Sequence, residues 1–140
     1  MPRSPFAPGT ADLIRIYLLV RGRGSPYGTY VFIHEWLAER YADRATPYVG
    51  PTYDSIRRLF YMLRRLGLIE PAGTEPAKRG PFQRHLYRVV RGKERDIRWR
   101  DPVNALYAPE KFRAAAHLPR FTLQEDDIRR ITSFIRSREF

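Results

Sequence analysis

The chain contains no cysteine, which excludes disulfides, thiol catalysis and cysteine-ligated zinc. Lysine is scarce, with 3 residues beside 23 arginines, so positive charge is carried almost wholly by guanidinium groups. Apolar runs are short. A stretch such as Ile16–Val20 falls far below the roughly 20 residues that a membrane-spanning helix needs. The opening segment MPRSPFAPGT has no apolar signal region, and a cytoplasmic location is expected. Enzymatic constellations are missing as well. His34, His85 and His117 share no metal-ligand spacing, and there is no P-loop, dinucleotide fingerprint or nucleophile elbow. Glu125, Asp126 and Asp127 could suggest Mg²⁺, but acids at the start of a helix explain them more simply. The expectation is no enzymatic activity, no metal and no cofactor.

What is present fits one packed domain with a helical appendage: 140 residues, 43% of them hydrophobic. The formal net charge is +11 and it is unevenly spread. Residues 1–100 hold 19 Lys/Arg against 9 Asp/Glu, whereas residues 101–140 hold 7 against 6. A basic body with a nearly neutral tail points to a surface built for a polyanion. Charge kept for solubility is the plainer alternative. Arginine forks onto phosphates and guanine edges in a way lysine cannot, although a GC-rich genome also raises arginine content.

Residues 1–9 carry three prolines and no periodicity, and read as a flexible arm. Leu13, Ile16, Tyr17 and Val20 then follow the spacing of a buried helical face, with Thr10 as a candidate cap. The cluster Arg21–Pro26 reads as a turn. A second helix is expected from Thr29 or Tyr30, with an apolar stripe of Ile33, Trp36, Leu37 and Tyr41, ending before Thr46-Pro47. A third is expected over residues 51–66, where Ile56, Leu59, Phe60, Leu63 and Leu66 share one side and Gly67 closes the helix. Leu68–Glu70 and His85–Val90 read as the two strands of a hairpin, joined by a loop from Pro71 to Arg84. Beyond Gly92, short helices are expected at Asp101–Tyr107 and Glu110–Ala116. A last one is expected behind the capping box Thr122–Glu125, with an apolar stripe of Ile128, Ile131, Phe134 and Ile135.

The outward face of the third helix is the principal candidate site. It carries Tyr53, Asp54, Arg57, Arg58, Tyr61, Arg64 and Arg65. An α-helix fits the DNA major groove, where arginine can bond guanine O6 and N7 together. Residues early in the helix are expected at base edges and later ones at phosphate. Asp54 could instead orient Arg57 or Arg58, since such pairs meet on a helix. An ordinary solvated face is the competing reading. In the loop, Lys78, Arg79 and Arg84 are candidates for phosphate or minor-groove contact. Most aromatics, such as Tyr17, Trp36, Phe60 and Phe134, sit at core spacing and are read as packing residues.

The line SIRRLFYMLRRLGLIEP, followed by a basic loop and LYRVV, resembles the recognition helix and wing of winged helix-turn-helix proteins from prokaryotes, their viruses and plasmids. The resemblance covers about residues 10–91. It implies a three-helix core with a small sheet, DNA binding through the third helix and the wing, and often a dimer. Residues 45–50 make the connection between helices two and three longer than the simplest such turn.

The expected fold is therefore mainly α with a small β-hairpin (α+β). It would comprise an arm (1–9), a winged helix-turn-helix domain (10–91) and a helical extension (92–140). The expected function is double-stranded DNA binding, as a nucleoid-associated transcriptional regulator using helix 51–66 and the wing 71–84. A homodimer through residues 101–140 is expected, on Ile128, Ile131, Phe134 and Ile135, with packing of that stripe back on the first helix of its own domain as the alternative. Two alternatives remain. One is a structural nucleoprotein component (ribosomal, chromatin-like or virion) that binds by charge and shape. The other is an interaction module of a replication or processing enzyme.

Overall fold

Side-chain caps mark the start of three helices. Ser25 accepts from the Gly28 N–H ahead of Pro26, Thr52 accepts from the Ser55 N–H, and Asp101 accepts from the Asn104 N–H ahead of Pro102. The computed structural model describes residues 9–42, 50–77, 80–115 and 125–138. Its elements are α1 (Thr10–Arg21), α2 (Pro26–Arg40), α3 (Tyr53–Arg65), β1 (Ile69–Pro76) and β2 (Gln83–Val89), then a 3-10 turn (Ile97–Arg100), α4 (Pro102–Tyr107), α5 (Pro109–Ala115) and α6 (Glu125–Arg136). This is the α+β class expected: mainly helical, with a two-stranded antiparallel sheet among the described residues. The capping box expected at Thr122 lies outside those residues.

Three boundaries differ from expectation. Gly9 is the cap residue of α1, with no side-chain cap bond, and Thr10 is the first helical residue. The second helix begins at Pro26, because Ser25-Pro26 is itself a cap followed by a first-turn proline. The hairpin strands are also longer than expected, and most of the segment 71–84 is sheet. Its prolines are tolerated because of where the backbone bonds go. Pro71 faces Tyr87, whose N–H and C=O turn away from β1 and exchange two 2.9 Å hydrogen bonds with Gly24. Thus β2 is flanked by β1 on one side and by the α1–α2 connection on the other. Gly24 fits there because a β-carbon would lie 2.8 Å from the Tyr17 ring.

A single core runs through α1, α2, α3, β1, Trp99 and α6. Leu13, Ile14, Ile16, Tyr17 and Leu18 are all buried, so α1 is covered on more of its circumference than its predicted stripe. The additional cover comes from α6 and the 3-10 turn, both of which pack on α1. Trp99 is 1% exposed and its indole N–H donates to the Lys93 carbonyl at 2.8 Å. Arg15 donates to the Glu94 carbonyl at 3.1 Å, joining this segment to α1.

The segment expected as an extension is thus partly core. Ile131 and Ile135 are 0% exposed and Phe134 is 7% exposed, packed within this chain. Phe134 lies tilted against Phe32 at 6.2 Å and edge-on to Trp36 at 5.3 Å. Arg138, beyond the end of α6, reaches Glu39 at 2.9 Å and Glu35 at 3.8 Å on α2. Ile131, Phe134 and Ile135 are therefore corrected from dimer-forming to core residues, because their apolar surface is already spent on α1 and α2. Ile128 alone of the four remains 38% exposed.

Candidate nucleic-acid interface

The outer face of α3 follows from its two columns of side chains. Tyr53, Arg57 and Arg64 form one column and Asp54, Arg58, Tyr61 and Arg65 the other, at helical spacing. All seven are exposed, while Ile56, Phe60 and Leu63 are buried behind them. The helix is held at both ends. Thr52 caps its start. At its end the Gly67 N–H bonds the Arg64 carbonyl and the Leu68 N–H bonds the Leu63 carbonyl, a Schellman arrangement with Gly67 at φ 75°. His34 on α2 adds a brace, its Nε2 lying 2.6 Å from the Pro51 carbonyl oxygen.

Four arginines against one aspartate make this face cationic. Asp54 lies 3.1 Å from Arg58 and 3.8 Å from Arg57, the orienting role considered from sequence. The three side chains are 62%, 75% and 60% exposed in the order Asp54, Arg58, Arg57. Exposed pairs of this kind contribute about 0.2–1 kcal/mol each, so an incoming anion can redirect the guanidinium groups at little cost. Arg65 donates to the Tyr61 hydroxyl at 3.1 Å. Arg64 makes no ion pair among the described residues.

The hairpin brings a different set. Lys78 and Arg79 lie outside the described residues. Arg84, expected as a free phosphate contact, is corrected: its side chain is only 14% exposed, 3.9 Å from Glu75 and 4.5 Å over the Tyr27 ring. Strand alternation turns it inward onto α2. Arg84 is therefore a brace between hairpin and helix.

Residues missed in the sequence complete the surface. Tyr27 and Tyr30, in the first turns of α2, meet Tyr53 edge-on at 5.8 and 5.6 Å. Arg57 in turn lies 5.8 Å over Tyr53. A continuous run, Arg84–Tyr27–Tyr53–Arg57, thereby links the hairpin to the outer face of α3. Tyr27 is 43% and Tyr53 39% exposed, so these rings are surface groups, unlike the core aromatics. The signal was legible: Ser25-Pro26 places Tyr27 in a helix, as Asp101-Pro102 does for α4.

A second basic concavity, about 1080 Å³, lies between α2 and α6, with Arg40, Arg129, Arg130, Trp36 and Phe134 among its walls. Among the described residues no cluster of three or more potential metal ligands occurs, and no helix is long and apolar enough to cross a membrane. No protein-family model, curated protein or solved structure matches the chain.

Proposed function

We propose that the chain is a double-stranded DNA-binding protein of winged helix-turn-helix architecture, acting as a transcriptional regulator. In this reading α3 enters the major groove and the hairpin is the wing. The observation that carries it is the run Arg84–Tyr27–Tyr53–Arg57, which makes the wing and the arginine face of α3 one surface. The element order supports it as well: three helices, then a hairpin whose second strand also pairs with the α1–α2 connection through Gly24. At 13 residues, α3 is about 20 Å long, a fit for a groove about 12 Å wide and 8.5 Å deep. Arg57 and Arg58 would read base edges, while Arg64 and Arg65 in the last turn would meet phosphate.

The test is a specificity ratio. A duplex selected from a random pool is compared with a scrambled duplex at one stated salt concentration. A regulator binds its selected site about 10³-fold or more tightly. Arg57→Ala or Arg58→Ala then weakens that site by about 1–3 kcal/mol and relaxes preference at one base position. Equal affinity for all duplexes, equally reduced by both substitutions, would assign the chain instead to binding by charge and shape.

A further inference from the structure

Phe82 is 76% exposed, the greatest exposure among the large hydrophobic side chains described. A lone exposed apolar residue is ordinary on a protein surface. Its position sets Phe82 apart. The Ala77 N–H donates to the Phe82 carbonyl at 2.9 Å, one rung beyond the Pro76–Gln83 pair, so Phe82 stands at the far end of the hairpin ladder. Side chains two apart along a strand share a face. Phe82 therefore projects on the side of Arg84, about 7 Å further from the body of the protein.

The ribbon beneath it is braced. Arg84 is clamped on Tyr27 at 4.5 Å, Thr74 donates to Gln83 Oε1 at 2.6 Å, and Arg23 donates to the Ala72 carbonyl at 2.9 Å. The same face leads back to α3 through cation-to-ring and ring-to-ring spacings of 4.5, 5.8 and 5.8 Å. Phe82 thus stands at the outer end of the surface that carries the arginines of α3, as a wing beside a helix in the major groove would.

We propose that Phe82 is an intercalating wedge: it enters the minor groove beside the major groove occupied by α3, parts one base step and bends the duplex. The cationic outer face of α3 attracts a polyanion, and an exposed apolar ring at the end of the braced ladder suits the space between stacked bases. The step it enters is a flexible pyrimidine–purine step, TA or CA, which unstacks at least cost. DNA bending is thus an activity of the wing, and it rests on the DNA-binding reading above.

The experiment uses the full chain and two 30-bp duplexes with donor and acceptor dyes at their ends. One has a single central TA step flanked by a 2-aminopurine, and the other has no pyrimidine–purine step near its centre. Anisotropy reads binding separately from bending. Wild type should raise energy transfer and 2-aminopurine fluorescence on the first duplex, with a bend of about 20–90°. Phe82→Ala should remain folded by circular dichroism and bind with a loss of about tenfold or less, with both bending signals gone. Phe82→Leu should restore part of them. Binding by wild type without either signal, or an unchanged bend with Phe82→Ala, overturns the wedge and leaves DNA binding standing. Absence of binding to every duplex overturns both. Phe82-dependent binding to anionic lipid vesicles, with no duplex bending, assigns the tip to a membrane surface and overturns the wedge as well.

Discussion

Two aspartates, Asp12 in α1 and Asp96 at the start of the 3-10 turn, are shifted in opposite directions because their surroundings differ. Asp96 accepts two hydrogen bonds from the Arg98 side chain, at 3.0 and 2.9 Å, which hold its carboxyl below the usual carboxylate range. Burial pushes Asp12 above that range, despite Arg15 at 3.4 Å. Asp96 therefore contributes stability that is present above its unfolded value and is lost as pH falls through its folded one. Asp12 contributes with the other sign: its ionisation opposes folding, and that cost appears as pH rises through its raised folded value. Carbon-detected NMR titration should find the Asp96 midpoint below and the Asp12 midpoint above that of aspartate in an unstructured peptide. Asp96→Ala, which also removes the cap of the 3-10 turn, should cost about 0.5–2 kcal/mol at neutral pH. That difference should shrink in acid below the ordinary aspartate range. Two ordinary midpoints would contradict the assigned environments.

At the scale of single elements, the end of α3 is the joint that aims the proposed recognition helix at its hairpin. Gly67 at φ 75° lets the chain reverse directly into Leu68, which is itself fully buried. Gly67→Ala forces a side chain into the left-handed region at a cost of about 1–2 kcal/mol. Chemical denaturation should read that loss with an unchanged m-value, and an unchanged midpoint would mean the turn relaxes freely. The joint was legible because Arg-Arg-Leu-Gly-Leu-Ile combines a basic last turn, a C-terminal glycine and an apolar step. The α3 stripe was legible because a strict period of 3.6 leaves few alternatives. The hairpin length was not. Pro71 and Pro76 read as breakers, and only the outward pairing of Tyr87 with Gly24 explains why a proline can sit opposite it. That pairing joins residues 63 apart in sequence, beyond any local pattern.

For the whole molecule, α6 decides what the C-terminal third is for. Its amphipathic pattern was plain in the sequence, but a stripe of Ile131, Phe134 and Ile135 is equally suited to a second copy or to the chain's own core. Amphipathicity states that a face must be buried and is silent on where. The tertiary answer is α1 and α2, whose own buried surface was wider than their stripes implied. Ile131→Asp should consequently unfold the protein instead of yielding a folded monomer, since an unpaired charge would enter a site with 0% exposure. Retained cooperative melting with a change only in light scattering would reverse the correction. The candidate interface is legible in the sequence on α3, whereas Tyr27 lies ahead of the helix start expected at Thr29 or Tyr30 and is signalled only by the Ser25-Pro26 cap.

Among the described residues two basic surfaces compete: the α3 face joined to Tyr27 and the hairpin, and the α2–α6 concavity with Arg129 and Arg130. Amide chemical-shift mapping during titration with duplex DNA distinguishes them directly. DNA binding through α3 and the hairpin predicts perturbations along residues 53–65, at Tyr27 and at Phe82–Arg84, with those of α6 unmoved. Perturbations confined to residues 129–138, or none anywhere, would contradict it.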